Sequence, residues 1–248
     1  MLGKMVLDNS LLIAYENNKE SKKFKLLMRK FSHPYATNWK QIKAALKEGL
    51  ELPNHIQILS QMAGLPEFDD DLVTLASKTT FKIILTEDSS KKFPFVHFKN
   101  NMVNKNIVFS LSSTDSRQDL LCYLQMMCGN ATKITICDNY FSENWADNSK
   151  LFFRVFPRKT LHIEYAEIAS GINARANNLE ITNAFLHTIC GDWTSSVSTH
   201  LKYLNCHDRY LLIESPESKI EVMLSSGFHH LWKANPKEIT CVFTEILA

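Results

Sequence analysis

A short polar segment stands directly before one of the most apolar runs in the chain. Residues 206–209 read CHDR, and they are followed by the run YLLI and then by Glu214. His207, Arg209 and Glu214 therefore have the spacing H-x-R-x4-E. Residues two apart on a strand share a face, so His207 and Arg209 are predicted to point to the same side. An imidazole beside a guanidinium provides a nucleophile next to a bidentate donor for phosphate oxygens, as phosphoryl transfer requires.

Polar residues also follow two other apolar runs. Asp138 and Tyr140 come after the run KITIC, and Ser225 and Ser226 come after KIEVML. Ligands of open α/β sheets gather at the carboxyl ends of strands, so these four residues are predicted to bind substrate. The alternative for Asp138 and Tyr140 is a strand-end cap and a packing tyrosine.

The segment that contains the two serines continues as GFHHLW. Hydroxyl groups and backbone N–H groups at a strand-to-helix turn favour contact with an anion, and His229 and His230 can add to such a contact. Adjacent histidines on a helix face in different directions, however, so they make a poor metal pair. Glu214 can orient an imidazole, although its spacing from Arg209 places it on the opposite face of a strand.

The periodicity of the chain predicts elements that position these residues. Residues 10–78 have helical spacing and predict three or four short helices, with Asp69, Asp70 and Asp71 as a cap before the last of them. From residue 79 the predicted elements are strands at FKIILTE, FVHFKN and NIVFSLSS, a helix over 115–127, strands at KITICDNYF and KLFFRVFP, a helix over 168–188, and strands at CHDRYLLIE and KIEVMLSSGF. We therefore expect a helical region over residues 1–78 and an α/β domain over residues 79–248.

Composition limits the classes of function. The chain has 28 Lys and Arg against 26 Asp and Glu, so a polyanion must be met by a local basic patch. Residues 22–30, KKFKLLMRK, could supply one, and a solvated helix face is the alternative. The six cysteines form no C-x-x-C pair, which favours reduced thiols, and no apolar stretch is long enough to span a membrane. We expect a cytoplasmic protein without a membrane span.

Taken together, residues 131–248 resemble the divergent HDR-type branch of the phospholipase D-like superfamily. The family motif is H-x-K-x4-D, so the resemblance places His207 at the nucleophile, Arg209 at the phosphate-binding lysine and Glu214 at the aspartate. It implies a mixed sheet flanked by helices, here preceded by the N-terminal helical region. Family members combine two such motifs in one site. Because this chain has one, the resemblance also implies a homodimer.

These expectations converge on a metal-independent phosphodiesterase without a cofactor, a nuclease for DNA or RNA. It would serve as a phage-defence or toxin-type effector, with a regulatory protein partner docked on the N-terminal helices. The alternative is a non-catalytic module that binds a phosphate ligand or a protein. A related membrane-binding domain, found at the C-terminus of MIT-domain-containing proteins, binds lipid head groups without cleaving them.

Overall fold

The chain forms two units, residues 1–107 and residues 108–248. The computed structural model describes residues 3–30, 35–99, 101–103, 106–138, 140–166, 181–198 and 208–246. The boundary predicted at residue 78 lies inside the first unit. The reason is strand pairing, since two strands that follow residue 79 form one sheet with a strand that precedes residue 10.

The first unit is a small parallel sheet with five helices in its described part. Its strands are β1 (Val6–Leu7), β2 (Ile84–Thr86) and β3 (Phe95–His97), which pair in that order and all run parallel. Its helices are α1 (Asn9–Asn17), α2 (Lys22–Lys30), α3 (Trp39–Lys47), α4 (His55–Met62) and α5 (Leu72–Ser77). The predicted acidic cap is confirmed, because the Asp71 side chain accepts the Thr74 N–H at the start of α5.

The second unit is built on a mixed sheet. Its strands are β5 (Asn106–Leu111), β6 (Lys133–Cys137), β7 (Leu161–Tyr165), β8 (Trp193–Val197), β9 (Arg209–Glu214), β10 (Lys219–Leu224) and β11 (Ile239–Glu245). Their order is β5-β11-β10-β9-β6-β7-β8, and the two-residue strand β4 (Met102–Val103) pairs with the start of β5. Strand β9 is antiparallel to β6 and β10, whereas β6, β7 and β8 are parallel.

Four described helices flank this sheet. They are α6 (Gln118–Cys128), α7 (Trp145–Asn148), α8 (Lys150–Arg154) and α9 (Asn183–His187). The Tyr123 ring of α6 packs against Phe243 of β11, with 4.5 Å between ring centroids. The predicted fold class, an α/β domain with a mixed sheet flanked by helices, is confirmed.

The strand predicted at KLFFRVFP is wrong. Its residues form α8 and the turn after it, and the buried positions are Leu151, Phe152, Val155 and Phe156. Burial at i, i+1, i+4 and i+5 is the pattern of a helix face and not of a strand, in which alternate residues are buried. Phe153, between the two buried pairs, is 51% exposed.

Five of the described strands, β1, β4, β7, β8 and β11, escaped prediction, and one predicted helix is described only in part. Strands β7 and β8 contain polar residues on their partly exposed face, which hides them from a search for apolar runs. Of the helix predicted over 168–188, residues 168–180 lie outside the described residues. Thr182 caps the short helix α9 by accepting the Phe185 N–H.

Candidate functional site

Three strand ends meet side by side in the second unit. The register pairs Cys137 of β6 with Tyr210 of β9, and it pairs Arg209 of β9 with Leu224 of β10. The carboxyl ends of β6 and β10 therefore lie next to the amino end of β9. The central strands β6 and β9 are buried over most of their length, so these ends are held by the core.

Arg209 and Asp138 are brought together by this register. The Nε atom of Arg209 lies 3.6 Å from the Oδ1 atom of Asp138. The Asp138 side chain is 1% exposed and the Arg209 side chain is 21% exposed. A guanidinium that reaches the surface is thus paired with a carboxylate inside the protein.

Tyr140 completes this cluster. The guanidinium of Arg209 lies 5.6 Å from the centroid of the Tyr140 ring, within the range of a cation–π contact. The Tyr140 N–H donates a hydrogen bond of 2.9 Å to Asp138 Oδ1. Asp138 therefore orders the turn after β6, as the strand-end alternative predicts, and it also contacts Arg209.

Burial changes the ionisation of Asp138. Removal from water raises the pKa of its carboxyl above the usual range, although the Tyr140 N–H and the Arg209 guanidinium act in the opposite direction. Desolvation is the largest of these effects. The Tyr140 N–H and Arg209 therefore both favour the charged carboxylate against the effect of burial.

Ser225 and Ser226 follow directly on the strand end beside Arg209. The Ser225 hydroxyl oxygen accepts the Thr240 N–H at 2.9 Å, and the Ser226 hydroxyl donates to the Glu238 carbonyl at 3.1 Å. Both side chains are therefore engaged with the residues around the start of β11. The Ser225 hydroxyl keeps its own proton to donate, whereas that of Ser226 is already used.

His207, the predicted nucleophile, lies outside the described residues. Asp208, the first described residue of this segment, is exposed, and β9 begins at Arg209. Arg209, Asp138, Tyr140, Ser225 and Ser226 lie at the same end of the sheet.

Glu214 does not join the other predicted site residues. It ends β9, and five residue steps separate it from Arg209 by about 17 Å. Its carboxylate contacts Lys219 Nζ at 3.2 Å and Lys133 Nζ at 3.7 Å. Glu214 therefore does not lie beside Arg209, because the two residues stand at opposite ends of a six-residue strand.

Other candidate features of the chain carry less chemistry. Lys25, in the basic run of α2, contacts Glu20 at 3.3 Å with both side chains largely exposed. Within the part of the chain that the structure describes, no group of three His, Cys, Asp or Glu side chains could hold a metal ion. No helix among the described residues has the length and hydropathy needed to cross a membrane.

Comparisons with known proteins give limited similarity. No model of a protein family matches the chain, and no curated protein matches it. Among solved structures, it is similar to yeast tyrosyl-DNA phosphodiesterase and to a point mutant of that enzyme. Both are 13% identical with a TM-score of 0.33, and each match covers 56% of this chain and 31% of the yeast chain.

The cluster is suited chemically to holding an anion at the surface of the sheet. A guanidinium has five N–H donors, and the contact with Asp138 involves its Nε side. A guanidinium can bind two phosphate oxygens through a planar fork of N–H groups. The turn after β10, with its serines, lies on the neighbouring strand.

Proposed function

We propose that this protein is a metal-independent phosphodiesterase that acts on nucleic acid, with the site at the end of β6, β9 and β10. The observation that carries the proposal is the placement of Arg209. It stands at the amino end of a buried strand, is oriented by Asp138 and Tyr140, and follows His207 at the spacing of two residues. A rigidly held guanidinium next to an imidazole is the arrangement that phosphoryl transfer through a histidine needs.

In this proposal the reaction has two steps. A ring nitrogen of His207 attacks phosphorus, the bond from phosphorus to the leaving oxygen breaks, and that oxygen takes up a proton. Water then attacks the phosphohistidine, the phosphorus–nitrogen bond breaks, and the proton of the water passes to solvent or a nearby base. Arg209 stabilises the charge on the non-bridging oxygens in both steps.

A second copy of the chain is part of the proposal. The motif H-x-R-x4-E occurs once, and the family that it resembles uses two such motifs in one site. We propose a homodimer in which the two His207 segments face each other across a two-fold axis. The nuclease would act as a cytoplasmic phage-defence or toxin-type effector, and a regulatory protein would dock on the helices of the first unit.

The test measures cleavage of fluorescent DNA and RNA and of bis(4-nitrophenyl) phosphate in the presence of EDTA. His207→Ala should abolish cleavage, and Arg209→Ala should lower it by about 100-fold or more, as the loss of a transition-state donor does. Lys219→Gln is the matched control, because it removes a positive charge at the far end of β10 and should keep wild-type cleavage within about twofold. Cleavage that survives His207→Ala would overturn the proposal.

A non-catalytic phosphate-binding or protein-binding module is the second candidate. The position of Glu214 favours it, since the carboxylate of the motif is used in contacts with Lys133 and Lys219 away from Arg209. In that case the purified protein binds phosphorylated ligands through Arg209 and cleaves none of the substrates above. A light-scattering measurement of molar mass adds a second criterion, because a monomer at assay concentration contradicts the shared site.

A further inference from the structure

His229 occupies the turn that follows the strand next to Arg209. Strand β10 ends at Leu224, which pairs with Arg209, and a 3-10 turn over Phe228–Leu231 comes four residues later. Phe228 is fully buried, and its ring lies 6.0 Å from that of Phe141, which follows Tyr140. The segment that contains His229 and the segment that contains Asp138 and Tyr140 are therefore packed against each other.

The imidazole of His229 lies against the backbone of Gly227. A Cβ atom at residue 227 would lie 2.5 Å from Cε1 and 2.6 Å from Nδ1 of His229, but 3.7 Å from Nε2. Glycine is therefore the residue that permits this ring position. The ring turns its Nδ1 edge to the backbone, and its Nε2 atom is farther from that backbone.

The Nδ1 atom of His229 is buried and has no hydrogen-bond partner in the described part of the chain. A buried N–H without an acceptor is destabilising. On this side the neighbouring atom is a Cα–H of Gly227, toward which a lone pair is better placed than an N–H. We therefore assign the ring proton to Nε2.

Burial and nearby basic residues favour the uncharged form of this ring. Burial, which is the largest effect, together with His230, Lys233 and Arg209 lowers the pKa of His229 to about 4, while Asp147 acts in the opposite direction. Asp147 itself contacts Lys150 at 2.6 Å. At neutral pH the imidazole is therefore uncharged and has one N–H to donate.

His230, the adjacent residue, is committed elsewhere. Its ring lies 4.1 Å from that of His229, but its Nδ1 atom accepts the Lys237 N–H at 3.1 Å and its side chain is buried. It therefore stabilises the turn through an acceptor that an asparagine can replace. The two histidines provide a test residue and a matched control on one turn.

We propose that His229 belongs to the phosphate-binding site at Arg209, where its Nε2–H donates a hydrogen bond to a non-bridging phosphate oxygen and Gly227 holds the ring in place. Lys233, which is exposed on the same turn, adds positive charge near this oxygen. An uncharged donor suits this position, because its hydrogen bond does not depend on protonation across the physiological range. The inference rests on the proposed function of Arg209, and it adds a binding residue from β10 and its turn.

The experiment measures binding of inorganic phosphate and of a phosphorothioate-linked thymidine dinucleotide to the full-length protein by calorimetry. His229→Ala should raise the dissociation constant about tenfold. His229→Gln should restore it to within about threefold of the wild-type value, because a side-chain amide also donates a hydrogen bond. Gly227→Ala should weaken binding to a similar extent by displacing the ring. His230→Asn should leave binding unchanged, and a thermal melt of each variant shows that it is folded.

The pH dependence separates this donor from an ordinary histidine. The ratio of wild-type to His229→Ala affinity should stay constant between pH 5.5 and 8, whereas a charged imidazole would make the ratio rise below pH 6.5. A long-range proton–nitrogen correlation spectrum should find the ring proton on Nε2. A ratio that rises with acidity, or a proton on Nδ1, contradicts the assignment.

Failure of this inference differs from failure of the proposed function. If Arg209→Ala abolishes phosphate binding and His229→Ala binds like His230→Asn, the phosphate site stands and the role of His229 is wrong. If the wild-type protein binds neither probe, the proposed function and the role of His229 fall together.

Discussion

Replacement of Arg209 by alanine tests whether Asp138 depends on it. Asp138 is 1% exposed, and removal of one partner of a buried ion pair costs roughly 3–5 kcal/mol. Arg209 is 21% exposed and its Nε lies 3.6 Å from the carboxylate, so we expect a smaller loss of about 2 kcal/mol in the free energy of unfolding at pH 7. For a unit of this size the melting temperature should fall by about 5 to 8 °C.

The loss should shrink in acid. Burial raises the pKa of Asp138, and the loss of Arg209 raises it further. A carboxyl with a raised folded-state pKa takes up protons on folding. Its contribution to the free energy of unfolding is therefore present below the unfolded-state pKa and is lost as the pH rises through the folded-state pKa. The difference between Arg209→Ala and wild type should therefore be largest at pH 7 to 8 and smaller near pH 5.

The assay follows thermal unfolding by tryptophan fluorescence in a Trp39→Phe background. The chain has four tryptophans, and the other three, Trp145, Trp193 and Trp232, all lie in the second unit, so this background reports the unit that contains Asp138. The double variant Asp138→Asn with Arg209→Ala is the control, because an uncharged amide removes the buried charge and should recover at least half of the loss. A double variant no more stable than Arg209→Ala alone would refute the reasoning.

Two further predictions concern residues away from Arg209. Glu214→Gln should lower the free energy of unfolding by less than about 1 kcal/mol, because the contacts of Glu214 with Lys133 and Lys219 are partly exposed. Cleavage by this variant should stay within about threefold of wild type. A loss of cleavage as large as that of Arg209→Ala would show that Glu214 acts at the site. Among the described cysteines, Cys122 and Cys190 should react with a thiol reagent in the native protein, whereas the buried Cys128, Cys137 and Cys241 should not. Burial also raises the pKa of the Cys241 thiol. Mass spectrometry of the labelled protein identifies the modified residues, and early labelling of Cys241 would contradict its burial.

Two strands of the candidate site could be predicted because most of their buried side chains are apolar. Residues 133–137 and 209–214 lie in the middle of the sheet, and each strand contains buried apolar residues, such as Leu211, Leu212 and Ile213. Residues 150–156 are just as apolar, but they form a helix whose buried positions recur at helical spacing. Composition alone does not separate these cases, and the periodicity of burial does.

The neighbours of Arg209 could not be derived from spacing within one strand. The sequence placed Glu214 with Arg209 because both belong to a single motif, whereas the sheet separates them by the length of β9. Asp138 is 71 positions earlier in the chain, and antiparallel pairing of β6 with β9 places it beside Arg209. Partners across a sheet depend on strand order and register, which a single sequence does not state.

The pairing of Arg209 with Asp138 would also set the conditions for the anion binding that we propose. A carboxylate beside the guanidinium orients it, but the same negative charge opposes an approaching phosphate. Burial reduces that opposition, because it raises the pKa of Asp138 and so lowers the cost of protonating the carboxyl when a second anion arrives. His229 contributes to the same balance, since an uncharged donor adds a hydrogen bond without adding a further cation beside Arg209 and Lys233. The strand ends thus combine one oriented cation, one buried carboxyl with a raised pKa and, in our proposal, one uncharged donor, a set suited to a phosphodiester that carries a single negative charge.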